Sequence, residues 1–399
     1  MTQTNLRATD TDLNELMSIL SMPRPNGTKA LQETRDALAS WLSDHNIPYH
    51  LHTYKARPYF LEAIGVWMIV PPLLLALAVW LRWGWLALLF SVIGLFVVQL
   101  EAGKGIPILS RIGASQSENI IIEFAPSQPK QEFVFSAHYD SKTELMDHQQ
   151  RTFFMKQLPV AIILSLLLGI LGLIDSFLSQ SSDIAFYIGV GLSIPYLIIM
   201  LGLGANFAFG RFAQPSQGAV DNGAACAILL DLANRLAGEN GSLQQTKVTI
   251  ALFTGEEIAA QGSTAYVTER EWLLPTIALN LEWCGQDGQY ITWDKYGGGS
   301  VPVYSATTAL NDAVATAVSR ANCEIIPLEG PVGTDSVPFL ANGIPATSMG
   351  TLDRRLGAEG FHRPTDNLER VEMERLSETG KIITNILTRF DDGKLAIGE

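Results

Sequence analysis

The sequence predicts an α/β protein: a mixed, mostly parallel sheet with helices on both faces, interrupted by two transmembrane helical hairpins. Three observations carry this expectation. Strand-like and helix-like runs alternate through the polar sequence, the pattern of βαβ units. Acidic and imidazole residues gather where predicted strands end, which is the edge at which open α/β sheets bind ligands. Four long apolar runs stand in two close pairs.

In chain order, "TKALQETRDALASWLSDHN" (28–46) has the spacing of an amphipathic helix, and "PYHLHTY" alternates as a strand. The first apolar pair follows. Residues 63–81 hold 19 positions without a charge between Glu62 and Arg82, and 83–100 hold 18 in which only Ser91 and Gln99 are polar. A helix rises ~1.5 Å per residue, so about 20 residues cross a ~30 Å hydrocarbon core. Trp67, Trp80, Trp83 and Trp85 suit the two interfaces. "ENIIIEF" and "EFVFSAHYD" are strand runs. The second pair, 158–174 and 184–205, holds 17 and 22 residues around "DSFLSQSSD". Then come a helix opening at an Asp ("DNGAACAILLDLANRLAG"), a buried strand ending in two Glu ("TKVTIALFTGEE") and a strand ending in one ("TIALNLEWCG"). "NDAVATAVSRAN" is helical, "CEIIPLEG" short and apolar, and "RLSETGKIITNILTRF" a closing helix; "YGGGS" (296–300) reads as a flexible turn. The polar segments 1–57, 103–157 and 207–399 thus form one discontinuous domain, with 58–102 and 158–206 as the hairpins.

Composition narrows the function. Over 399 residues, 47% are apolar while 17% are charged, which fits a globular part joined to a membrane part. A formal net charge of −13 excludes nucleic acid as a partner, since phosphate binding needs clustered Lys and Arg. Cys226, Cys284 and Cys323 are scattered and odd in number, so no disulfide framework or zinc finger follows, and a reducing compartment is expected. The N-terminal stretch lacks a basic start followed by an apolar core, so no cleavable signal peptide is expected. Hairpins return the chain to the side it left. The polar-side flanks carry Lys55, Arg57, Lys104, Arg111, Arg151, Lys156 and Arg211, whereas the opposite turns carry Arg82 with Asp175 and Asp183. The positive-inside rule then assigns the polar domain to the cytoplasmic face of an integral membrane protein with four spans. The spans hold almost no charge, so they offer no transport path.

The residues fit for chemistry fall at the predicted strand ends. His138 and Asp140 close one strand, Asp221 opens a helix, Glu256 and Glu257 close another strand, Glu282 a third, and His362 sits in "GFHRPTDN". Two imidazoles and several carboxylates without a thiolate suit zinc or a similar divalent ion. A two-metal site needs a bridging carboxylate, and one His and one further carboxylate for each ion, which this inventory supplies. Adjacent side chains at 256 and 257 point apart, so one would bind and the other act as general base. His50 and His52 alternate on a solvated strand, His148 reads as a capping or solvated residue, and no "GxSxG" elbow is present.

These motifs resemble the co-catalytic dizinc aminopeptidases, relatives of bacterial leucyl aminopeptidase and glutamate carboxypeptidase. The resemblance runs through "RPNGTKALQETRDALASWL", "AHYDS", "AVDNGAACAILLDLA", "ALFTGEE", "LNLEWCG", "GTDSVPFLANGIPATSMG" and "FHRPTDNLERV". It implies a zinc-exopeptidase-like fold and two zinc ions, or another divalent metal. By motif, His138 is similar to a ligand oriented by Asp140, Asp221 to the bridging carboxylate, Glu256 to the general base, and Glu257, Glu282 and His362 to the remaining ligands. Asp366 is expected to hold His362, and Asp335 and Ser336 resemble a loop near the substrate. Glu282 stands where the family more often has Asp. His138 and Asp221 are 83 positions apart, where the family has a short connection; the second hairpin accounts for nearly all the excess.

The resemblance implies a membrane-embedded zinc metallopeptidase, an aminopeptidase that hydrolyses peptide bonds through a water between the metals. Its partners would be a peptide or protein N-terminus and the lipid bilayer. Two alternatives stand beside it. A glutaminyl-cyclase-like enzyme with a single zinc would need Asp221, Glu257 and His362, but not His138 and Glu282 together. A non-catalytic membrane scaffold of the same fold would commonly have lost a ligand or the base, and none is missing.

Overall fold

A computed structural model describes residues 10–178, 183–238, 243–298, 301–353 and 360–395. Its helices and strands, in chain order, are α1 (Asp10–Leu20), α2 (Lys29–Asp44), β1 (Tyr49–Ala56), α3 (Phe60–Trp80), α4 (Gly84–Val98), β2 (Ser115–Phe124), β3 (Gln131–His138), α5 (His148–Lys156), α6 (Leu158–Leu178), α7 (Ile184–Phe209) and α8 (Ala224–Gly238). There follow β4 (Thr246–Phe253), α9 (Gln261–Glu269), β5 (Thr276–Glu282), β6 (Gln289–Gly298), β7 (Val301–Ser305), α10 (Thr308–Arg320), β8 (Ile325–Val332), α11 (Ser336–Ala341), β9 (Ala346–Leu352) and α12 (Met373–Asp391). The chain forms two compact units. One comprises Met1–Ala56, Ser115–Lys142 and Pro215–Glu399, the other Arg57–Ala114 and Thr143–Gln214.

The first unit is built on one mixed sheet in the order β1-β2-β4-β3-β5-β9-β6-β7, with β8 also paired to β6. Its centre, β4-β3-β5-β9, is parallel; β1 pairs with β2, β2 with β4, β6 with β9 and β7 with β6 in antiparallel sense, and β8 pairs with β6 in parallel. Alternation sets the two faces. On β3, Phe133, Phe135 and Ala137 enter the core made with α1, α2, α8 and α12, while Val134 enters the opposite core with Tyr266 of α9 and Phe339 of α11. A one-residue slip would exchange the faces, and each buried apolar side chain is worth about 1.5–3 kcal/mol, so the register that ends β3 at His138 is firmly held. "YGGGS" differs from the expected turn: Tyr296–Gly298 close β6 and pair with β7, with Tyr296 buried. Glycines there admit the bulged pairing, and Gly297 has φ +97°. Residues 299 and 300 lie outside the described residues.

The second unit holds four helices long and apolar enough to cross a membrane: Phe60–Trp80, Gly84–Glu101, Leu158–Leu178 and Ile184–Phe212. The two sequence hairpins interlock, α3 packing on α7 and α4 on α6. Small residues allow this. A Cβ on Gly65 would lie 2.3 Å from the Ala208 nitrogen, and one on Gly84 2.1 Å from the Gly172 carbonyl oxygen. Trp80 Nε1 donates to Ser193 Oγ (2.9 Å) and Ser91 Oγ to the Ser165 carbonyl (2.8 Å), tying the same pairs. Arg82 lies 2.5 Å from Asp183 and 3.8 Å from Asp175. The sequence boundaries 58–102 and 158–206 shift outward here, because the flanks pack with the helices. Asn206 Oδ1 accepts the Leu145 and Met146 amides, α5 lays Phe154 against Gly202, and Tyr59 covers Gly113.

Candidate metal centre

The parallel strands β3, β4 and β5 end at one edge of the sheet, and the loops beyond them carry the site. His138 is the last residue of β3 and Glu282 the last of β5. Asp221 sits in the irregular turn before α8. Beyond β4, Gly255 takes φ +74° and turns the chain into the short Glu256–Ile258 helix, which places both glutamates at the edge. His362 reaches the site from the loop before α12 with φ +59°.

Asp221 lies between the two imidazoles. Its Oδ1 is 3.3 Å from His138 Nε2 and its Oδ2 is 3.3 Å from His362 Nε2. Glu282 Oε1 is 3.4 Å from His138 Nε2, and Glu257 Oε1 is 3.0 Å from His362 Nε2. Glu256 Oε2 stands 3.9 Å from His138 Nε2. Two overlapping groups, His138–Glu256–Glu282 and His138–Asp221–Glu257, each offer ligand atoms within 4.8 Å of one another. His138 Nδ1 faces the Asp140 carbonyl at 3.1 Å and its carboxylate at 3.5 Å, the arrangement that turns Nε2 toward a metal. His138 Nε2 and Glu257 Oε1 are buried without a hydrogen bond. Buried carboxylates outnumber the cations beside them, and Lys142 Nζ lies 3.9 Å from Glu257. Nitrogen and oxygen donors, orphaned and crowded, fit a divalent cation.

The ionisation of the cluster follows from that crowding. Burial pushes the Glu256 carboxyl well above its usual range; His138 draws it back, and Glu282, Glu257 and Asp335 push it further up. For Asp221, burial is outweighed by the two imidazoles, which hold it below the ordinary carboxylate range. Burial would lower His138, yet Glu282, Asp140 and Asp221 raise it well above normal. Asp335 is pushed up to about 7 by burial, and its Oδ1 accepts a bond from Ser263 Oγ at 2.5 Å. Ser336 is turned into the sheet, its Oγ 2.8 Å from Ser348 Oγ and 3.0 Å from the Thr347 carbonyl oxygen. Asp366 braces the Asp221 turn: its oxygens accept the Val220 amide at 2.8 Å and the Asp221 amide at 3.3 Å. Burial, then Asp221, raises it to about 7.

Three amides at the site escaped sequence reasoning. Asn222 and Asn280 each donate to Glu282 Oε2 at 3.0 Å, which leaves Oε1 toward His138. Asn26 donates to Asp140 Oδ2 at 2.6 Å, beside the Glu257 amide at 3.2 Å. Asn280 had a signal, standing two positions before Glu282 on the same face of a strand. His52 is held on the edge strand β1 by Glu269 and Asn119, and His148 lies beside Arg151 in the second unit.

Residues 203–387 match peptidase family M28, and that stretch includes Asp221, Glu256, Glu257, Glu282 and His362. This stretch is similar to a peptidase family M28 domain. Aminopeptidase YwaD of Bacillus subtilis (strain 168) is 25% identical over 175 residues, which are 42% of this chain and 37% of that protein. The chain thus matches little more than a third of that relative's length. The fold is similar to that of BSAP, a zinc aminopeptidase from Bacillus subtilis, with a TM-score of 0.57 at 13% identity, covering 97% of this chain and 96% of that one. Porphyromonas gingivalis glutaminyl cyclase gives a TM-score of 0.55 at 13% identity over 96% of this chain and 99% of its own. His138 and Asp140 precede the matched stretch, on the far side of α6 and α7.

Proposed function

We propose that the chain is a membrane-embedded zinc aminopeptidase with two metal positions. The observation that carries this is Asp221, whose two oxygens each face a different imidazole, with Glu282 beside one and Glu257 beside the other. His138, Asp221 and Glu282 would hold one ion; His362, Asp221 and Glu257 would hold the second. Bound zinc supplies Lewis acidity, which polarises a scissile carbonyl and makes water a nucleophile near neutral pH. Glu256 serves as the base, because it stands at the cluster without the close imidazole contact that Glu257 makes. Its Oε2 takes the proton of the attacking water and delivers it to the departing nitrogen. A carboxyl raised by burial is suited to that exchange near neutrality. Asp140 holds His138 in the tautomer that presents Nε2, and Asp366 fixes the turn of Asp221.

The unit of α3, α4, α6 and α7 is the membrane-spanning part in this reading, with lipid as its partner, and the M28 domain works on peptide N-termini at the cytoplasmic face. The fold likeness to a glutaminyl cyclase supports a second reading, ring closure of an N-terminal glutamine with loss of ammonia.

Metal content of the purified protein, with assays on amino-acid amides, dipeptides and a glutaminyl peptide, separates the two. Two zinc ions per chain and release of the N-terminal residue, lost on chelation and restored by zinc, are expected. One ion per chain with ammonia release alone would establish the cyclase. Full hydrolysis after complete metal removal would refute both.

A further inference from the structure

Arg24 is fully buried, yet its guanidinium meets main chain rather than a close acid. Nε donates to the Tyr139 carbonyl at 2.6 Å. Nη1 donates to Leu20 at 2.5 Å, Met22 at 3.0 Å and Gln217 at 2.6 Å, and Nη2 to Gly218 at 2.8 Å. These acceptors belong to three separate segments. Tyr139 stands between His138 and Asp140. Gln217 and Gly218 open the turn that carries Asp221. Leu20 and Met22 end α1 and the link beyond it. The main chain of Arg24 adds two bonds to the first segment: its N–H donates to Ser141 Oγ at 2.9 Å, and its carbonyl accepts the Ser141 amide at 3.2 Å. Gly218 sits close enough that a Cβ would come 2.6 Å from Ser141 and 3.3 Å from the guanidinium.

The geometry points to Arg24 as the positioning residue of the metal centre, setting the separation of the His138–Asp140 strand end from the Asp221 turn. This inference rests on the reading of those residues as zinc ligands. Its physical basis is the planar fork of guanidinium, which fixes several acceptors at once, as no other side chain can. His138 and Asp221 are separated by 83 positions of chain that include α6 and α7, so short-range backbone geometry does not set their spacing. The buried positive charge also lies near Asp140, Asp221 and Asp366, whose fields it shares without competing for their oxygens.

The test compares full-length parent, Arg24→Lys and Ser141→Ala in detergent. Zinc dissociation constants come from competition with a chromophoric chelator, and melting temperatures are taken in excess chelator. Arg24→Lys keeps the charge and loses the fork. Its zinc affinity should fall roughly 10–100-fold, the usual cost of losing a residue that orients metal ligands. Ser141→Ala removes one strap and should weaken zinc by a few-fold with little change in melting temperature. A folded Arg24→Lys protein that binds zinc as tightly as the parent overturns the inference and leaves Arg24 a plain core residue. Should Arg24→Lys fail to fold, unchanged affinity in Ser141→Ala overturns it instead. A parent that binds no zinc fails the metal-site reading itself, which is a separate result.

Discussion

Glu256 and Glu257 are neighbours in sequence but not in environment. Glu257 sends Oε1 to within 3.0 Å of His362, and its amide is anchored on Asp140. Glu256 makes only a 3.9 Å approach to His138 and keeps 13% of its side chain exposed, as a group that exchanges protons with a substrate should. Glu256→Gln is therefore expected to retain fold and zinc while turnover drops roughly 10²–10⁴-fold, the worth of a general base. Metal analysis beside kcat checks this, and a variant that loses zinc instead would exchange the two roles. Glu282 invites a companion experiment. Its Oε2 is held by two amides, so Asn280→Ala removes one of them and frees the carboxylate to rotate. Zinc affinity should weaken by about tenfold with the strand intact; parent affinity would mean that Asn222 alone suffices. Of the expected site residues, His138, Glu256, Glu257 and Glu282 stand at predicted strand ends and Asp221 at a helix start, whereas His362 stands in a loop with no periodic pattern to mark it. The amides were not legible, since Asn26 lies 114 positions from the Asp140 it holds and no local pattern links them.

Elements were readable where burial imposed a period. The run "TKVTIALF" became β4, and the parallel centre followed from strands alternating with helices. β6 escaped, because "QYITWDKYGG" mixes polar residues and glycine along its length and its partners β7, β8 and β9 come later in the chain. The apolar helices show the same division. Their lengths came from composition, but α3 pairs with α7 and α4 with α6, which hydropathy does not encode since every face is apolar. In lipid, helix association rests on close packing of small residues. Gly65 is such a contact: a Cβ would come 2.3 Å from the Ala208 nitrogen and 2.7 Å from the Gly204 oxygen, both backbone. Gly65→Ala should destabilise the solubilised protein by about 1–3 kcal/mol, as overpacking does. Gly191→Ala, where a Cβ meets nothing within 4 Å, should be neutral or slightly stabilising through helix propensity. Thermal melting of the two variants in one detergent makes the comparison; an equal response at both sites would argue against the α3–α7 contact.

For the molecule as a whole, the proposed function makes sidedness decisive, because the side of a membrane that the site faces sets which peptides can reach it. If the four apolar helices span a membrane as proposed, the two hairpins put Arg82, Asp175 and Asp183 on one side and the polar segments on the other. Arg82 is engaged by both acids, lying 2.5 Å from Asp183, so that side presents no unbalanced cation. The other side carries seven Lys or Arg near the helix ends, among them the exposed Lys104, Arg111 and Lys156. Translocation of such flanks is disfavoured, so the proposed orientation has the metal centre facing the cytoplasm. Cysteine labelling tests this. Cys226 and Cys284 are buried, so replacing half-buried Cys323 with Ser removes the main background. In that background Leu178→Cys, at the outer end of α6, should react with an impermeant thiol reagent added to intact cells. Asp287→Cys, on the exposed surface of the M28 domain, should react only after the cells are opened. The opposite pattern would reverse the orientation and make the substrates extracytoplasmic peptides, with the metal centre unchanged. Labelling of both from outside would mean that the four apolar helices do not span the membrane.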